Sequence, residues 1–333
     1  MALETGPDPR ESPEMPGAPV TVAIVSWNTR ELLERCLEAF AGEVASGRVD
    51  LWVVDNASSD GSPDLVRERF GWAHLIASSE NLGFGRAVNL VAQATSSEWL
   101  APANADVTPR PGALQALLAA GSRDAGAGAI APRLVLPDGS TQHSVFAFPT
   151  IAYSLILATK AYRLSATLGD RLAFLDHWDP ERARRVPWAV AAFLLVRRSA
   201  WNEVGGFDER QWMYAEDLDL GWRLREAGWA TRYEPRAAMD HESGAATTQH
   251  FGPELPPHWQ RSTYGFIARR RGVGYAWAVA LVNFAGAVLR WAKVAPRSLR
   301  DPASYAELRR AHARWALVHL RALRGGKALE AIR

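Results

Sequence analysis

Three acidic residues crowd one short apolar stretch of the chain, MYAEDLDLGWRLREAGW at 213–229. Apolar residues recur there at helical spacing, and Gly228 stands where a helix-ending glycine is common, so the stretch predicts a helix. Glu216, Asp217 and Asp219 would lie in its first turn, where carboxylates can cap free N–H groups and interact with the helix dipole. The aromatic residues just before them predict partly buried surroundings, in which a carboxylate with a shifted pKa can act as a general base. Both interpretations stay open at this point.

Other polar residues collect at the ends of four predicted strands. Each strand is a continuous, apolar run, and the strands alternate with helical patterns through short loops. This alternation predicts an α/β fold with a doubly wound, mostly parallel sheet. The runs are VTVAIVSW (20–27), LWVVDN (51–56), HLIAS (74–78) and EWLAPAN (98–104). Ligands of such sheets bind beyond the carboxyl ends of the strands.

The loops after these strands are rich in Asn, Asp, Ser and Gly, and turn chemistry explains any one of these residues. Together, however, they bring six oxygen-bearing side chains to one edge of the predicted sheet: Asp55, Asn56, Asp60, Asn81, Asn104 and Asp106. Such side chains are the ligands of hard divalent cations. The pattern therefore favours a site for Mg²⁺ or Mn²⁺ that bridges a diphosphate.

Missing motifs exclude several classes of site. No GxGxxG follows the first strand, GFGRAV at 83–88 is a weak match in the wrong place, and the chain has no GxxxxGK[ST] phosphate loop. A nucleotidyltransferase would need a glycine-rich loop with a basic residue after the first strand, where this chain has SWNTRE. The single cysteine, Cys36, excludes an internal disulfide and cysteine-only zinc sites, and its surroundings predict a core position on a helix.

Weaker patterns predict the remaining elements. Asn28, with Glu31 three residues later, predicts a capping box for the first helix. Residues 150–185 predict a helical, basic and aromatic insertion, and VPWAVAAFLLVRR at 186–198 predicts one apolar strand. The segments ATRYEP and AAMDHESG predict two short strands after the acidic helix.

The chain resembles glycosyltransferase family 2, which has the GT-A fold, over roughly residues 20–245. The resemblance rests on six motifs in their order and spacing: VSWN, VVDNASSDGS, NLGFGRAVN, ANADV, GGFDE and MYAEDLDLGWRLREAG. The pattern is similar to that of rhamnosyltransferase-like members, which act on lipid-linked acceptors. This resemblance implies an inverting, metal-dependent enzyme that uses a nucleotide-diphosphate sugar together with Mg²⁺ or Mn²⁺.

The resemblance also implies a nucleotide-sugar site at the strand ends. The residues that match donor-binding positions are Ser26, Trp27 and Asn28 around the nucleobase, Asp55 on the base itself, and Asn81, Gly83 and Arg86 in the loop near the donor. Asn104-Ala105-Asp106 falls where the family has its Asp-x-Asp signature. Asn104 replaces the first acid of that signature and leaves less charge for the ion.

The chemistry of transfer follows from the same resemblance. Asp217 matches the base that takes the proton of the attacking hydroxyl, and Glu216 and Asp219 beside it would orient it or cap the helix, with a solvated cap as the alternative for Asp219. Asp106 matches the metal ligand that helps to neutralise the leaving diphosphate. His241, 24 residues after Asp217, falls at the position of a candidate metal-ligating histidine. A structural histidine at a strand end is the alternative.

Charge is unevenly distributed, although the net charge is only +2. Residues 261–333 carry 15 Lys or Arg and 3 acids, a balance of +12, which leaves −10 for residues 1–260. Residues 272–289 hold no charged side chain and have basic flanks, which suits a segment lying in the headgroup layer of a membrane. Packing against the catalytic domain and a true membrane span remain alternatives. Because no nucleic-acid-binding motif accompanies the basic tail, no nucleic-acid partner is expected.

These patterns divide the chain into three predicted parts. Residues 1–19, with five prolines, predict a disordered leader. Residues 20–260 predict the GT-A catalytic domain, with a nucleotide-binding half (about 20–110) and an acceptor half (about 111–260) that holds the helical insertion. Residues 261–333 predict a C-terminal helical extension, basic and amphipathic, that associates with the membrane.

The expected function is transfer of a sugar onto a polyprenyl-diphosphate-linked saccharide at the cytoplasmic face of the plasma membrane. By family likeness the sugar is L-rhamnose from dTDP-rhamnose. The alternatives are a galactofuranosyl or other hexosyl transferase that uses a UDP-sugar, and a non-catalytic sugar-nucleotide-binding protein. The intact Asp106 and Asp217 count against a loss of catalysis. The sequence leaves open the donor, the acceptor linkage and whether the protein forms a homo-oligomer.

Overall fold

The computed structural model describes residues 19–172, 177–211, 214–242 and 255–322. These residues form two compact units. Unit 1 comprises Met1–Val145 and Pro180–His250, and unit 2 comprises Phe146–Asp179 and Phe251–Arg333. Several predictions fall outside the described residues: the leader up to residue 18, Trp212 and Met213 just before the acidic helix, and the tail from residue 323.

Unit 1 has the predicted α/β architecture, with helices packed on a mixed sheet. The strands are β1 (Val20–Ser26), β2 (Val49–Asp55), β3 (His74–Ala77), β4 (Trp99–Asn104), β5 (Val107–Pro109), β6 (Ala127–Val135), β7 (Val145–Phe146), β8 (Arg184–Val186), β9 (Trp188–Ala189), β10 (Leu195–Arg197) and β11 (Ala230–His241). Within the described residues, nine of them form one sheet in the order β3-β2-β1-β4-β10-β6-β11-β5, with β8 paired to β11. β7 and β9 form a separate pair.

The helices alternate with the strands in unit 1 and dominate unit 2. Their bounds are α1 (Arg30–Ala45), α2 (Ser62–Arg69), α3 (Phe84–Ala94), α4 (Ala113–Arg123), α5 (Ile151–Thr159), α6 (Ala166–Arg171), α7 (Arg198–Val204), α8 (Glu216–Glu226), α9 (Leu255–Arg271), α10 (Val273–Arg300) and α11 (Pro302–Ala322). The predicted insertion at 150–185 supplies α5, α6 and the 3-10 turn between them to unit 2. The buried Cys36 lies on α1 in the core of unit 1, as predicted.

Strand register aligns the carboxyl ends of the first strands. β1 lies between β2 and β4 and is parallel to both, so that Ser26 pairs with Asp55 and Val25 pairs with Asn104. β2 also pairs in parallel with β3, and β6 with β11, whereas the shorter pairings that involve β5, β8 and β10 are antiparallel. The predicted mostly parallel, doubly wound sheet is therefore confirmed. The loops after β1, β2 and β4 leave the sheet at the same edge.

The predicted capping role of Asn28 is wrong. Helix α1 begins at Arg30, after Thr29 as its N-cap, and no side chain of its own caps it. Asn28 instead adopts a left-handed φ of 51°, and its side-chain oxygen accepts a hydrogen bond from the Ser59 N–H (2.8 Å). The Arg30 N–H donates to Asp60 (2.8 Å). These bonds join the loop after β1 to the loop after β2, a tertiary effect that local capping rules do not capture.

Two strand predictions are also corrected. The run at 186–198 is not one strand, because residues 190–194 form a loop between β9 and β10. That loop is apolar because it is buried, and burial gives loops and strands the same composition. The two short strands predicted next are one strand, β11, whose register with β6 shifts between Glu234 and Ala238. Pro235 lies at that shift and has no N–H for the ladder.

The packing of α8 on β9 depends on Gly221. A Cβ added there would lie 2.6 Å from Trp188 Cβ and 3.4 Å from Trp188 Cα. We expect Gly221→Ala to lower the free energy of unfolding by about 1–3 kcal/mol, because overpacking forces the helix and strand apart. The matched control is Gly42, a helix glycine with no atom within 4 Å. Gly42→Ala should raise the free energy of unfolding by about 0.5–1 kcal/mol. Denaturant unfolding checks both variants, and shifts of the same sign would contradict the expectation.

Hydrogen bonds between its helices hold unit 2 together. The Ile151 N–H at the start of α5 donates to the Tyr275 hydroxyl on α10 (3.2 Å). The buried Tyr264 hydroxyl on α9 accepts from Asn283 on α10 (3.1 Å) and lies 2.8 Å from His319 Nδ1 on α11. Burial, with a contribution from nearby positive charge, lowers the pKa of His319 to about 4. The ring is therefore neutral near pH 7 and can hydrogen-bond the tyrosine.

Helix α10 presents an apolar stripe to the surface of unit 2. The exposed large apolar residues on it include Val273, Trp277, Leu281, Val288, Trp291 and Leu299. At the helical period these six positions fall within an arc of about 80°. By length and composition alone, α10 is a helix that could cross a membrane.

Candidate active site

Asp55 presents a buried carboxylate oxygen at the end of β2. Its Oδ2 accepts a hydrogen bond from the Ser58 N–H (2.9 Å), whereas Oδ1 is buried and has no hydrogen-bond partner among the described residues. Burial raises the pKa of Asp55, against the lowering effect of the Ser58 bonds. Ser26 lies opposite it on β1 and is buried, and Trp27 next to Ser26 is partly exposed. Because an unsatisfied buried acceptor is unfavourable, Asp55 Oδ1 is suited to accept a hydrogen bond from a ligand N–H.

The loop before α3 is held by amide side chains. Asn56, at the end of β2, donates to the Gly83 carbonyl (3.4 Å), and the Asn81 side chain accepts from the Gly83 N–H (2.9 Å). Gly83 has φ 78° and ψ 170°, a conformation that suits glycine. Arg86 is exposed on α3, and its ion pair within the described residues is with Glu80 (3.7 Å). Asn81 and Gly83 therefore lie beside the β2 loop, and Arg86 faces solvent.

Asp106 and His241 meet because β5 pairs with β11. Val107 is the register partner of His241, and the Glu242 N–H donates to the Asp106 carbonyl (3.1 Å). His241 Nε2 lies 3.2 Å from Asp106 Oδ1, and both side chains are largely buried. Gln142 Oε1 lies 2.6 Å from His241 Nδ1. Gln142 was not predicted as a site residue, because a polar residue after a turn does not by itself indicate a functional site.

The hydrogen bond to Gln142 fixes the state of the His241 ring. The amide oxygen of Gln142 can only accept, so His241 Nδ1 carries a proton. In the neutral ring Nε2 is then an acceptor that faces Asp106 Oδ1, another acceptor, and neither atom has a hydrogen-bond partner among the described residues. Two acceptors at this distance repel unless a proton or a cation lies between them. The two facing atoms are therefore suited to hold a cation between them.

The two acids at the start of α8 are partly buried and follow a strained turn. Tyr214 and Ala215 both adopt left-handed φ values (61° and 65°), which are uncommon outside glycine and turn the chain into the helix. Burial raises the pKa of Asp217 to about 6, and burial together with the Asp217 charge raises the pKa of Glu216 to about 8. The larger rise at Glu216 favours the proton on that residue and leaves Asp217 as the more readily ionised of the two.

The buried loop at 190–194 connects Asp217 to the end of β4. The Ala191 N–H donates to Asp217 Oδ2 (3.3 Å), and the carbonyl of the next residue, Ala192, accepts from the Asn104 N–H (2.8 Å). Asp217 is thus tied to the sheet edge from which Asn104 and Asp106 project. The apolar sequence of this loop predicted a strand, so its part in the site was missed.

Asp219 is not a solvated cap of the helix, which was the alternative for it. It has a structural role. Its side chain is fully buried, and Oδ2 accepts from Arg223 Nε (2.7 Å). Arg223 also donates to the Val204 carbonyl (2.6 Å), which fastens α8 to the end of α7. The N-cap residue Ala215 makes no side-chain bond, and in the first turn of α8 the Leu218 N–H donates to Asp217 Oδ1 (2.7 Å). The spacing of four residues between Asp219 and Arg223 is a signal from which this pair could have been predicted.

Comparisons with known proteins match the chain over most of its length. The family model for glycosyl transferase family 2 matches residues 21–160, and that for glycosyl transferase family group 2 matches residues 155–321. An N-acetylglucosaminyl-diphospho-decaprenol L-rhamnosyltransferase from Mycobacterium tuberculosis is 36% identical over 268 residues, which is 75% of this chain and 84% of the relative. The chain belongs to glycosyltransferase family 2. The family assignment made from the sequence motifs is confirmed.

Two further similarities support the family-2 assignment and the fold. A pre-mycofactocin glycosyltransferase from Mycobacterium tuberculosis is 33% identical over 240 residues, 69% of this chain and 45% of that protein. The solved structure of the mannosyltransferase PcManGT from Pyrobaculum calidifontis, in complex with GDP-Man and Mn²⁺, superposes with a TM-score of 0.52 at 17% identity. The superposition covers 97% of this chain and 90% of that one. At that identity the likeness shows the fold alone, and it supports the GT-A prediction.

The raised pKa of Asp217 predicts the pH dependence of this family-2 protein. If Asp217 is the base, turnover requires its ionised form, so activity should be present above its pKa and lost as the pH falls through about 6. An enzyme whose base is an ordinary aspartate would lose activity at a lower pH, near the usual aspartate pKa of 3.8. The measurement is a pH–rate profile at saturating substrates. An acid limb near 8 would instead indicate that Glu216 must be ionised.

Proposed function

We propose that this family-2 protein transfers L-rhamnose from dTDP-L-rhamnose onto an N-acetylglucosaminyl-diphospho-polyprenol in cell-envelope glycan synthesis. The observation that carries the proposal is the 36% identity, over 84% of its length, to a relative named for that transfer. The site geometry also supports it, because the carboxylate of Asp217 has a raised pKa and is tied to the sheet edge. A transferase needs such a group, whereas a protein that only binds sugar nucleotides does not.

Asp217 is the general base of the proposed reaction. In an inverting transfer, the acceptor hydroxyl oxygen bonds to the anomeric carbon as the bond from that carbon to the diphosphate oxygen breaks. The proton of the hydroxyl passes to Asp217, whose raised pKa brings its basicity closer to the working pH. Glu216, which favours the proton of the pair, adds no second negative charge beside the base when it is protonated.

The nucleobase is proposed to lie at the end of β2. The buried Asp55 Oδ1 would accept a hydrogen bond from a ring N–H of the base, and Ser26, Trp27 and Asn28 would line its pocket. Thymine and uracil both carry such an N–H, so Asp55 does not distinguish dTDP-rhamnose from a UDP-sugar. Asn81 and Gly83 would lie along the diphosphate and sugar.

Asp106 and His241 fit a divalent cation. Their facing acceptor atoms are buried and lack other partners among the described residues, and Gln142 orients the ring as the outer partners of metal-bound histidines do. No cluster of three or more His, Cys, Asp or Glu side chains occurs in the described part of the chain, so ligands from the donor diphosphate would complete the coordination. Bound Mg²⁺ or Mn²⁺ would supply positive charge to the leaving diphosphate. Asn104 would add a neutral amide oxygen to the ligands of the cation.

Unit 2 is proposed to hold the protein on the inner leaflet as a peripheral protein. The apolar stripe of α10 would enter the headgroup layer, and basic residues of α11 would contact anionic lipid. A lipid-linked acceptor makes such a position useful, because the sugar to be extended lies at the membrane surface. A membrane span by α10 is the alternative.

Donor binding separates the proposed activity from its nearest alternative. Thermal shift with dTDP-L-rhamnose, UDP-galactofuranose, UDP-glucose and GDP-mannose, each with Mn²⁺, measures which donor stabilises the protein. The proposal predicts the largest shift with dTDP-L-rhamnose. A larger shift with UDP-galactofuranose or UDP-glucose would assign another hexosyl donor, and no shift with any of them would contradict a sugar-nucleotide site.

A further inference from the structure

Five basic residues converge on one place in unit 2. Lys160 ends α5, Arg163 lies in the 3-10 turn that follows, Arg290 and Lys293 lie on α10, and His312 lies on α11. They come from three separated parts of the sequence. The cluster is therefore a product of helix packing. It does not appear in the sequence as a run of charged residues.

Close contact between α5 and α10 builds the cluster. The Ile151 N–H at the start of α5 donates to the Tyr275 hydroxyl, and near its end Ala158 lies so close to Gly286 that a Cβ there would be 2.7 Å from the Ala158 Cβ. The same added Cβ would lie 3.6 Å from Arg290 Nη1, which places that guanidinium beside the end of α5. Lys160 then turns the chain with a left-handed φ of 57°.

The charges in the cluster are not balanced by acids. Partial desolvation and then the positive charges of Arg163, Arg290 and Lys293 lower the pKa of Lys160. Partial burial and then Arg290 and Lys160 lower the pKa of His312. Among the described residues, no carboxylate contributes to either shift. Mutual repulsion of this kind is relieved by a bound anion, whereas isolated surface cations are simply solvated.

Apolar side chains flank the same cluster. Leu164, next to Arg163, is 89% exposed, and Leu289, next to Arg290, is 59% exposed. Leu157, one turn before Lys160, is also exposed. A ligand that matched both the basic cluster and the leucines beside it would carry a highly charged phosphate group on a hydrocarbon chain.

We propose that Lys160, Arg163, Arg290 and Lys293 bind the diphosphate of the isoprenoid acceptor, with the flanking leucines on its hydrocarbon chain. Four lysine and arginine cations match the multiple charge of a diphosphate better than the single charge of a phospholipid diester. Guanidinium and ammonium groups are also the usual phosphate donors. The assignment rests on the proposed function for the identity of the acceptor. Its binding step is independent of sugar transfer.

The test is binding of farnesyl diphosphate, a soluble isoprenoid diphosphate, to the full-length protein by calorimetry with chelator present, so that metal-dependent binding in unit 1 is removed. The variant is Lys160→Asn with Arg163→Gln, because Asn tolerates the left-handed conformation at 160. The matched control, Arg297→Gln with Arg300→Gln, removes the same charge from exposed positions of α10. We expect the first variant to bind about tenfold or more weakly and the control to remain within about twofold of wild type.

Two outcomes would overturn the site. An equal loss of farnesyl diphosphate affinity in the cluster variant and in the control would show that binding depends only on general electrostatic attraction. Equally tight, cluster-dependent binding of dihexanoyl-phosphatidylglycerol would assign the cluster to bilayer phospholipids. Thermal melting of the cluster variant must match or exceed wild type, as removal of repulsion predicts. If donor assays reject rhamnosyl transfer while cluster-dependent farnesyl diphosphate binding persists, the proposed function fails and the site stands.

Discussion

Asp217→Asn is expected to lower sugar transfer by roughly 10²–10⁴-fold while donor affinity stays nearly unchanged. The change is close to isosteric. It removes the group that takes the acceptor proton, and the amide oxygen of the substituted side chain can still accept from one of the two N–H groups, Ala191 or Leu218, that donate to the carboxylate. The measurement is product formation by chromatography at saturating donor, together with the donor Kd of wild type and variant.

Glu216→Gln is the matched control for Asp217→Asn. Glu216 is the more readily protonated of the two acids, so a neutral amide should be tolerated, and turnover should fall far less than in Asp217→Asn. If the phenotypes are exchanged, Glu216 is the base. Turnover within a few-fold of wild type in Asp217→Asn would contradict the assignment and leave its carboxylate as a structural acceptor for Ala191.

Asp106→Ala is expected to abolish the strengthening of nucleotide-diphosphate binding by Mn²⁺ or Mg²⁺. The variant leaves His241 and the neutral oxygen of Asn104 as protein ligands, and loss of a ligand should weaken metal-dependent binding by at least the roughly 10- to 100-fold typical of losing an outer-shell partner. Calorimetric Kd values for dTDP with metal and with chelator measure the effect. Gln142→Leu should give a smaller loss in the same direction, because it frees the His241 ring.

Asp240→Ala is the matched control for the metal prediction. Asp240 precedes His241 in β11, and its carboxylate pairs with the exposed Arg110 (2.7 Å). This variant should therefore keep the metal effect. Equal dTDP affinity of the wild type with metal and with chelator would reject the metal site and leave the Asp106–His241 contact as a structural one.

Much of unit 1 could be predicted because its central strands are buried on both faces. Their continuous apolar runs mark β1, β2 and β4, and their parallel register places Ser26, Asp55 and Asn104 at one edge. The acids of α8 were visible for a similar reason, since carboxylates in apolar surroundings are uncommon. Both signals are local in the sequence.

The features that were missed depend on contacts between distant segments. The loop at 190–194 is apolar, so nothing in its composition separates it from a strand, and its link between Asp217 and Asn104 uses backbone atoms. Gln142 lies 99 residues from His241 and carries no motif. Asn28 fitted a capping pattern, yet Asp60 from the next loop bonds the helix N-terminus. Backbone and long-range hydrogen bonds leave little trace in residue types.

The central claim is transfer of rhamnose onto a polyprenyl-diphosphate-linked acceptor. The most direct measurement incubates the full-length protein with dTDP-L-rhamnose, Mn²⁺ and a short-chain N-acetylglucosaminyl-diphospho-polyprenol, and follows the acceptor by mass spectrometry, with the anomeric configuration of the product determined by NMR. We predict an acceptor that gains one deoxyhexose with inverted configuration in wild type and none in Asp217→Asn. An unchanged acceptor with dTDP-L-rhamnose, alongside extension by a UDP-hexose, would contradict the account.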